Sequence, residues 1–164
     1  MQYMNKVYLL IGGNMGDRLQ NLRQSIKRLS ACGTVVQQSA VYETEAWGKT
    51  DQEPFLNQAL LLQTNLPAQR LIGAILAIEE DMGRSRTEKY GPRIIDIDIL
   101  FYNDAIIHEP HLTIPHPEIQ NRRFALAPMH EIAPHLIHPV LHKTMQQLLE
   151  ECPDKLGAEK LIVS

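Results

Sequence analysis

Apolar and polar residues alternate along the chain in short runs, and the spacing within each run predicts its secondary structure. Lys6 to Ile11 is an apolar run stopped by Gly12-Gly13-Asn14, which is typical of a buried strand followed by a tight turn. After Asp17, leucine and isoleucine recur at helical spacing as far as Gly33, which predicts a helix capped by Asp17. Thr34 to Thr44 is rich in β-branched and small residues and predicts a second strand.

The middle of the chain continues this alternation. Phe55 to Thr64 predicts a strand, and apolar residues at helical spacing predict a helix from Pro67 to Gly83. The stretches 47–53 and 83–92 are polar or charged, so we expect both to be exposed loops.

The last third contains the clearest strand pattern. Ile94 to Tyr102 predicts a strand, and Asn103-Asp104 should turn the chain back toward residues 105–107. Six prolines between Pro110 and Pro139 predict mostly irregular structure, and Thr144 with Gln147 has the spacing of a capping box before a last helix. Several links between strands are too short for a crossover helix, so the pattern favours an α+β fold with an antiparallel or mixed sheet.

Composition narrows the class of protein. The chain has 164 residues, 44% of them apolar and 21% charged, with a net charge of -3. This balance permits a real core and argues against a disordered chain and against a surface that binds nucleic acid. The apolar runs are too short to span a membrane, and no signal-peptide pattern opens the sequence. We therefore expect one soluble cytoplasmic domain over residues 1–164, without membrane or nucleic-acid partners.

Two carboxylates lie two residues apart within the clearest strand. Because successive strand side chains point to opposite faces, Asp96 and Asp98 should share one face while the intervening isoleucines pack on the other. Neighbouring carboxylates repel each other, and a magnesium ion completed by water and phosphate oxygens would relieve that repulsion. The same alternation also fits an edge strand with a solvated polar face, so the strand alone leaves both interpretations open.

Basic residues precede this acidic pair. They are Arg84, Arg86, Lys89 and Arg93. They could neutralise the acidic residues around them, yet arginines beside magnesium carboxylates are also what a polyphosphate site requires. The sequence contains no P-loop motif.

The histidines do not form a metal motif. All seven fall between His108 and His142, but their spacing does not match a zinc site. His116, between two prolines and six residues before Arg122, is the functional candidate among them.

Gly91-Pro92-Arg93-Ile94-Ile95-Asp96-Ile97-Asp98-Ile99-Leu100 resembles the signature of the 6-hydroxymethyl-7,8-dihydropterin pyrophosphokinase family. The resemblance runs from about Tyr8 to Pro134, and further motifs follow in family order. These are Gly12-Gly13-Asn14, Tyr42-Glu43-Thr44, Phe55-Leu56-Asn57, Gly83-Arg84-Ser85-Arg86, Ile114-Pro115-His116-Pro117, Arg122-Arg123-Phe124 and Glu131-Ile132-Ala133-Pro134.

The resemblance implies a fold, a reaction and a set of site residues. It implies a ferredoxin-like α+β domain that transfers the pyrophosphoryl group of ATP to the pterin in folate biosynthesis, releasing AMP. Asp96 and Asp98 would hold two magnesium ions, with Arg84, Arg93 and Asp98 as catalytic residues. The nucleotide side would comprise Glu79, Arg84, Arg86, Arg93, Ile99, His116 and Arg122, and the pterin side Thr44, Trp47, Phe55, Asn57, Tyr90 and Phe124. Phe55 and Phe124 would stack on the two ring faces. We expect a monomer.

Two other functions stay open at this point. A different magnesium-dependent phosphotransferase on the same fold would bind ATP without the pterin. A non-catalytic ligand-binding domain would leave the acidic pair as a solvated edge, and magnesium would not change its affinity for nucleotide.

Overall fold

The computed structural model describes residues 4–45, 52–83, 94–155 and 157–161. Its strands are β1 (Asn5–Gly13), β2 (Thr34–Gln38), β3 (Tyr42–Thr44), β4 (Phe55–Thr64), β5 (Asp96–Tyr102), β6 (Ile107–Glu109), β7 (Leu112–Ile114) and β8 (Glu159–Lys160). Its helices are α1 (Arg18–Leu29), α2 (Ala68–Asp81), α3 (Arg123–Ile132) and α4 (Met145–Glu151), with a 3-10 turn at Ile119–Asn121.

One antiparallel sheet organises the described residues. Its strand order is β5-β1-β4-β3-β8. Strand β2 pairs with β4 on the same side as β3, at the other end of β4. Each strand pair in the described part of the chain is antiparallel, which confirms the prediction of an antiparallel sheet with helices.

Helices cover both faces of this sheet. On one face, Leu22 of α1 and Leu71 of α2 pack with Leu9 and Leu62 of the central strands. On the other, Leu10 and Ala59 pack with residues of α3 and α4, including Leu126, Met129 and Met145. The alternation of strand side chains therefore sends odd and even residues into two separate cores.

Several predicted element boundaries are confirmed. Strand β4 spans the predicted residues, and the Asp17 carboxylate accepts the Gln20 N–H at 3.1 Å as the cap of α1. Thr144 and Gln147 form a reciprocal capping box at the start of α4. Helix α2 ends at Asp81, and Gly83 follows with a φ of 86°, a left-handed conformation that glycine adopts without strain.

The prediction of one strand over residues 34–44 is wrong, because the strand breaks at Ser39. There the Ala59 N–H donates to Ser39 Oγ at 2.9 Å, and the Gln58 side-chain amide donates to the Ser39 carbonyl at 2.8 Å. Side-chain groups thus replace part of the backbone ladder, and the edge divides into β2 and β3.

The region after β5 also differs from its prediction. The turn at Asn103 forms, but the chain then leaves the sheet, and β6 pairs with β7 instead of returning to β5. The proline-rich stretch contains α3, a ten-residue helix with Pro128 inside it. Burial of Leu126 and Met129 against the sheet stabilises this helix despite the prolines around it.

Among the described residues, no helix is both long enough and apolar enough to cross a bilayer.

Candidate active site

Strand register brings the predicted site residues to one end of the sheet. Gly12 of β1 lies directly opposite Asp96 on one side and Asn57 on the other, and Asn57 lies opposite Tyr42. Residues directly opposite in an antiparallel sheet point to the same face. Asp96, Asn57 and Tyr42 therefore project together from the face that α3 covers.

Neighbouring rows extend this face. Thr44 lies opposite Phe55, two residues from Tyr42 and Asn57, so both side chains point the same way. Asp98 follows Asp96 with the same orientation. The register thus assembles on one surface two carboxylates, an aromatic ring, a hydroxyl and an amide, from three strands.

Gly12 is required for this arrangement. A Cβ at this position would collide with the Asn57 side-chain oxygen and lie 2.7 Å from the Leu56 carbonyl oxygen. The Asn57 amide therefore lies against the backbone of Gly12, and Gly12 in turn lies opposite Asp96 on β5. Sequence reasoning assigned Gly12 to a tight turn, whereas it belongs to β1 and permits a close approach.

The acidic pair has the predicted orientation. Asp96 and Asp98 are half-buried on the α3 face, whereas Ile95, Ile97 and Ile99 are buried on the opposite face. Within the described ranges no group of three or more histidine, cysteine or acidic side chains could hold a metal ion. Two half-exposed carboxylates are nevertheless hard oxygen donors of the kind that magnesium takes from proteins, with its other ligands from water and phosphate.

Glu79 holds the strand that carries this pair. Its side chain is 4% exposed, and its Oε2 accepts the Ile97 N–H at 2.8 Å. The bond ties α2 to β5, the strand at the end of the sheet order. Glu79 thereby fixes the backbone between Asp96 and Asp98.

His116 lies beside the same strand. Its N–H donates to the Leu100 carbonyl at 3.0 Å, two residues beyond Asp98, and its Nδ1 accepts the Glu118 N–H at 3.1 Å. Burial, with the nearby charge of Arg122, lowers the pKa of His116 to about 4. The imidazole is therefore neutral at pH 7 and carries its proton on Nε2, which can donate to a ligand.

Arg122 and Phe124 meet at the start of α3. The Arg122 guanidinium carbon lies 5.6 Å from the centre of the Phe124 ring, within the range of a cation–π contact. Phe124 is partly buried against the core beneath α3. One helix start thus presents a cation and an aromatic ring on the face that carries the acidic pair.

Thr44 and Phe55 have the surroundings of a ligand site. Thr44 is 3% exposed, and within the described part of the chain its hydroxyl oxygen is buried without a hydrogen-bond partner. Such a group is costly unless a ligand or water satisfies it. Asn14 and Arg18 donate to the Glu53 and Pro54 carbonyls, both at 2.9 Å, which fixes the segment just before Phe55.

The remaining predicted site residues divide into those outside the described part of the chain and one that faces the opposite core. Trp47, Arg84, Arg86, Lys89, Tyr90 and Arg93 lie outside the described residues. Ile99 packs its side chain into the core under α1 and α2, on the opposite face. Only its backbone could reach a ligand from that position.

One contact near the site has no counterpart in the sequence reasoning. The Tyr42 hydroxyl donates to Glu131 at 2.6 Å, which joins β3 to the end of α3. Both residues belong to segments that resemble family motifs, but 89 positions separate them, and no spacing rule connects them.

Comparison with known proteins gives a consistent result. The family model described as "7,8-dihydro-6-hydroxymethylpterin-pyrophosphokinase (HPPK)" matches residues 8–134. The chain is 40% identical over 148 residues to the 2-amino-4-hydroxy-6-hydroxymethyldihydropteridine pyrophosphokinase of Aquifex aeolicus, covering 90% of this chain and 92% of that protein. It is 41% identical over 160 residues to the protein of that name from Methylorubrum extorquens, covering 96% and 99%.

Longer proteins contain a similar region. The Folic acid synthesis protein FOL1 of Dictyostelium discoideum is 42% identical over 150 residues, which is 92% of this chain but 23% of that protein. The crystal structure of wild-type Plasmodium falciparum HPPK-DHPS with pteroate superposes with a TM-score of 0.71 at 18% identity, covering 92% of this chain and 43% of that one. At that identity the superposition shows the fold alone. The chain thus spans less than a quarter of one relative and less than half of the other.

Proposed function

We propose an activity for this chain on the basis of its family. The comparisons show that it belongs to the 7,8-dihydro-6-hydroxymethylpterin-pyrophosphokinase family. It transfers the pyrophosphoryl group of ATP to the hydroxymethyl oxygen of 6-hydroxymethyl-7,8-dihydropterin, in folate biosynthesis. The products are AMP and the pterin diphosphate. The observation that carries this proposal is the single sheet face shared by Asp96, Asp98, Asn57, Thr44 and Phe55.

The pterin lies between Phe55 and Phe124. A flat heteroaromatic ring binds well between two aromatic faces, one here from β4 and one from α3. Asn57 supplies both a donor and an acceptor to the polar edge of the ring, and the hydroxyl of Thr44 supplies another polar group there. The buried hydroxyl oxygen of Thr44 has no hydrogen-bond partner among the described residues, which supports this role because a bound pterin would satisfy it.

Asp96 and Asp98 hold two magnesium ions. Their common face and partial exposure support this assignment, since each carboxylate can offer oxygens to a separate cation. When bound, magnesium neutralises phosphate charge and lowers the pKa of the acceptor hydroxyl. A carboxylate oxygen of Asp98 takes the proton of that hydroxyl.

The nucleotide phosphates lie on the side of the site near His116 and Arg122. The neutral His116 ring donates from Nε2, and the Arg122 guanidinium offers a planar set of donors to phosphate oxygens. Glu79 acts on this side through the Ile97 backbone. Arg84, Arg86 and Arg93 remain the predicted cations for the transferring group, and Trp47 and Tyr90 remain predicted pterin contacts.

The chain geometry also supports a ferredoxin-like assignment of the fold. The order β1-α1-β2-β4-α2-β5 is a double β-α-β arrangement, with β2 and β3 both pairing with the same side of β4. The sheet order then places β1 between β5 and β4. We propose a monomer as the active unit.

The products of the reaction test this proposal. A kinase acceptor attacks the γ-phosphorus and leaves ADP, whereas this acceptor attacks the β-phosphorus in line with the α–β bridging oxygen and leaves AMP. We expect chromatography of a reaction containing ATP, magnesium and the pterin to show AMP and pterin diphosphate in equal amounts. ADP with a monophosphorylated product would instead indicate an ordinary phosphotransferase. Pterin-independent ATP binding without turnover would indicate a binding domain.

A further inference from the structure

Glu131 makes the contacts that attach strand β3 to the end of helix α3. Its Oε1 accepts the Tyr42 hydroxyl at 2.6 Å, and its Oε2 accepts the Ala40 N–H at 2.9 Å. The Lys160 ammonium lies 3.6 Å from Oε1. Burial alone would raise the pKa of Glu131, but these hydrogen bonds and this charge hold it below the ordinary value. The group is therefore an anion at neutral pH, and its bonds to Tyr42 and Ala40 are charge-assisted.

The position of Glu131 on α3 links it to Phe124. The two residues are seven positions apart, and at 100° per residue the second lies about 20° short of two full turns. Both side chains therefore leave α3 on the same side, about 10 Å apart along the helix axis. The carboxylate bonds to β3 at one end of α3, so it fixes the height and rotation of the helix that carries Phe124 at its other end.

The position of Tyr42 links it to the other wall of the site. Tyr42 lies opposite Asn57, and Thr44, two residues on, lies opposite Phe55. Strand β3 has only three residues, and its far edge is covered by the two-residue strand β8. So short a strand has few interactions of its own to hold it in place.

We propose that Glu131 is a positioning residue, which sets the width of the pterin slot between Phe55 and Phe124 through Tyr42. It joins the sheet wall of the slot to the helix wall without touching the substrate itself. This inference rests on the proposed function, because it concerns the site assigned to the pterin.

The contact predicts a selective defect. In Tyr42→Phe one hydroxyl is lost, and in Glu131→Gln the charge is lost while the shape is kept. We expect the KM for the pterin to rise about three- to tenfold in each variant, the loss expected when a charge-assisted hydrogen bond no longer holds the strand. We expect the KM for ATP to rise less than the KM for the pterin, because His116 is held to β5 through the Leu100 carbonyl and does not depend on α3, whereas Arg122 at the start of α3 can shift with Phe124. The double variant should be no worse than the more affected single variant, since both remove one interaction.

Thr144→Ala is the matched control. It removes the side-chain bond of the α4 capping box, and α4 packs beside α3 but supplies neither Phe55 nor Phe124, so the change lowers stability without removing a Glu131 contact. We expect its pterin KM to equal that of the wild type. Equal pterin KM values in wild type, Tyr42→Phe and Glu131→Gln would overturn the inference, as would an equal rise in the control. Should Glu131→Gln fail to fold, Tyr42→Phe alone decides, because it deletes a single oxygen atom.

Failure of the proposed function has a different signature. If the wild type releases no AMP with the pterin present, the function itself is wrong. If the wild type is active and the two slot variants have the same pterin KM as the wild type, the function stands and the positioning role is lost. Calorimetric titration of the pterin in the presence of a non-hydrolysable ATP analogue gives the same comparison without turnover.

Discussion

At Gly12 the close packing of two strands determines the geometry of the site. Its missing Cβ leaves room for the Asn57 amide and for the Leu56 carbonyl. The residue is therefore determined by its neighbours on β4, and not by turn conformation as the sequence pattern suggested.

Gly12→Ala should consequently damage both stability and pterin binding. The added methyl group forces the Asn57 side chain and the β4 backbone to shift, and overpacking of this kind costs about 1–3 kcal/mol. Gly73→Ala is the control, because a Cβ at exposed Gly73 of α2 meets nothing within 4 Å. There alanine should raise the free energy of unfolding by up to about 1 kcal/mol. Denaturant unfolding measures both, and equal effects of the two substitutions would contradict this account of Gly12.

Asp96 and Asp98 carry the prediction about the metal. Asp96→Asn and Asp98→Asn keep the size of each side chain but remove its charge, so turnover should fall by at least about 100-fold while the fold persists. Steady-state rates over a magnesium titration, with circular dichroism as the folding control, measure this. Near-normal activity in both variants would contradict the assignment of Asp96 and Asp98 as magnesium ligands.

At the scale of elements, the features readable from sequence are those that depend on near neighbours. The period of β4 and the capping box of Thr144 and Gln147 follow from residues within a few positions of one another. The break at Ser39 does not, because it depends on Gln58 and Ala59 of another strand. Propensity within residues 34–44 contains no information about that partner.

The site divides in the same way. The shared face of Asp96 and Asp98 follows from strand period alone. The position of Asn57, Thr44 and Phe55 beside these carboxylates depends on the register between β1, β4 and β3. The family resemblance indicated this grouping, whereas the spacing of residues along the chain could not. The Tyr42–Glu131 bond joins positions 89 residues apart, and only the folded chain brings it about.

Helix α4 provides a test of capping at this scale. The Gln147 N–H donates to Thr144 Oγ1 at 3.1 Å, and the Gln147 side chain accepts the Thr144 N–H at 2.9 Å. Thr144→Ala removes the first bond and should lower the free energy of unfolding by about 1 kcal/mol. Thr144→Ser keeps the hydroxyl and should lose much less. Thermal unfolding of the two variants side by side would show equal midpoints if the cap contributed nothing.

For the molecule as a whole, buried titratable groups on different elements give stability a defined pH range. Burial lowers the pKa of His116 to about 4 and also lowers that of His138, which packs edge-on against Phe101. Burial raises the pKa of the Cys32 thiol and of the Tyr42 hydroxyl, and Glu131 adds to the effect at Tyr42. The first pair limits stability in acid and the second in alkali.

The sign of each effect follows from proton binding. Between about pH 4 and 6.5 the unfolded chain protonates His116 while the folded chain keeps it neutral, so the free energy of unfolding should rise with pH across this interval. The slope from each histidine is at most about 1.4 kcal/mol per pH unit. Above the ordinary thiol pKa near 9, the unfolded chain loses protons that folded Cys32 retains, so stability should fall again.

Urea unfolding at pH 4.5, 5.5, 6.5 and 8 measures the acid side, with all four values chosen inside the titration range or just above it. His116→Asn keeps an acceptor for the Glu118 N–H but cannot titrate, so it should flatten the acid slope and leave the parts due to His138 and, at the lowest pH, to Glu131. An unchanged slope in that variant would show that His116 is not held neutral by the fold, and its assignment as an Nε2 donor to phosphate would lose its basis.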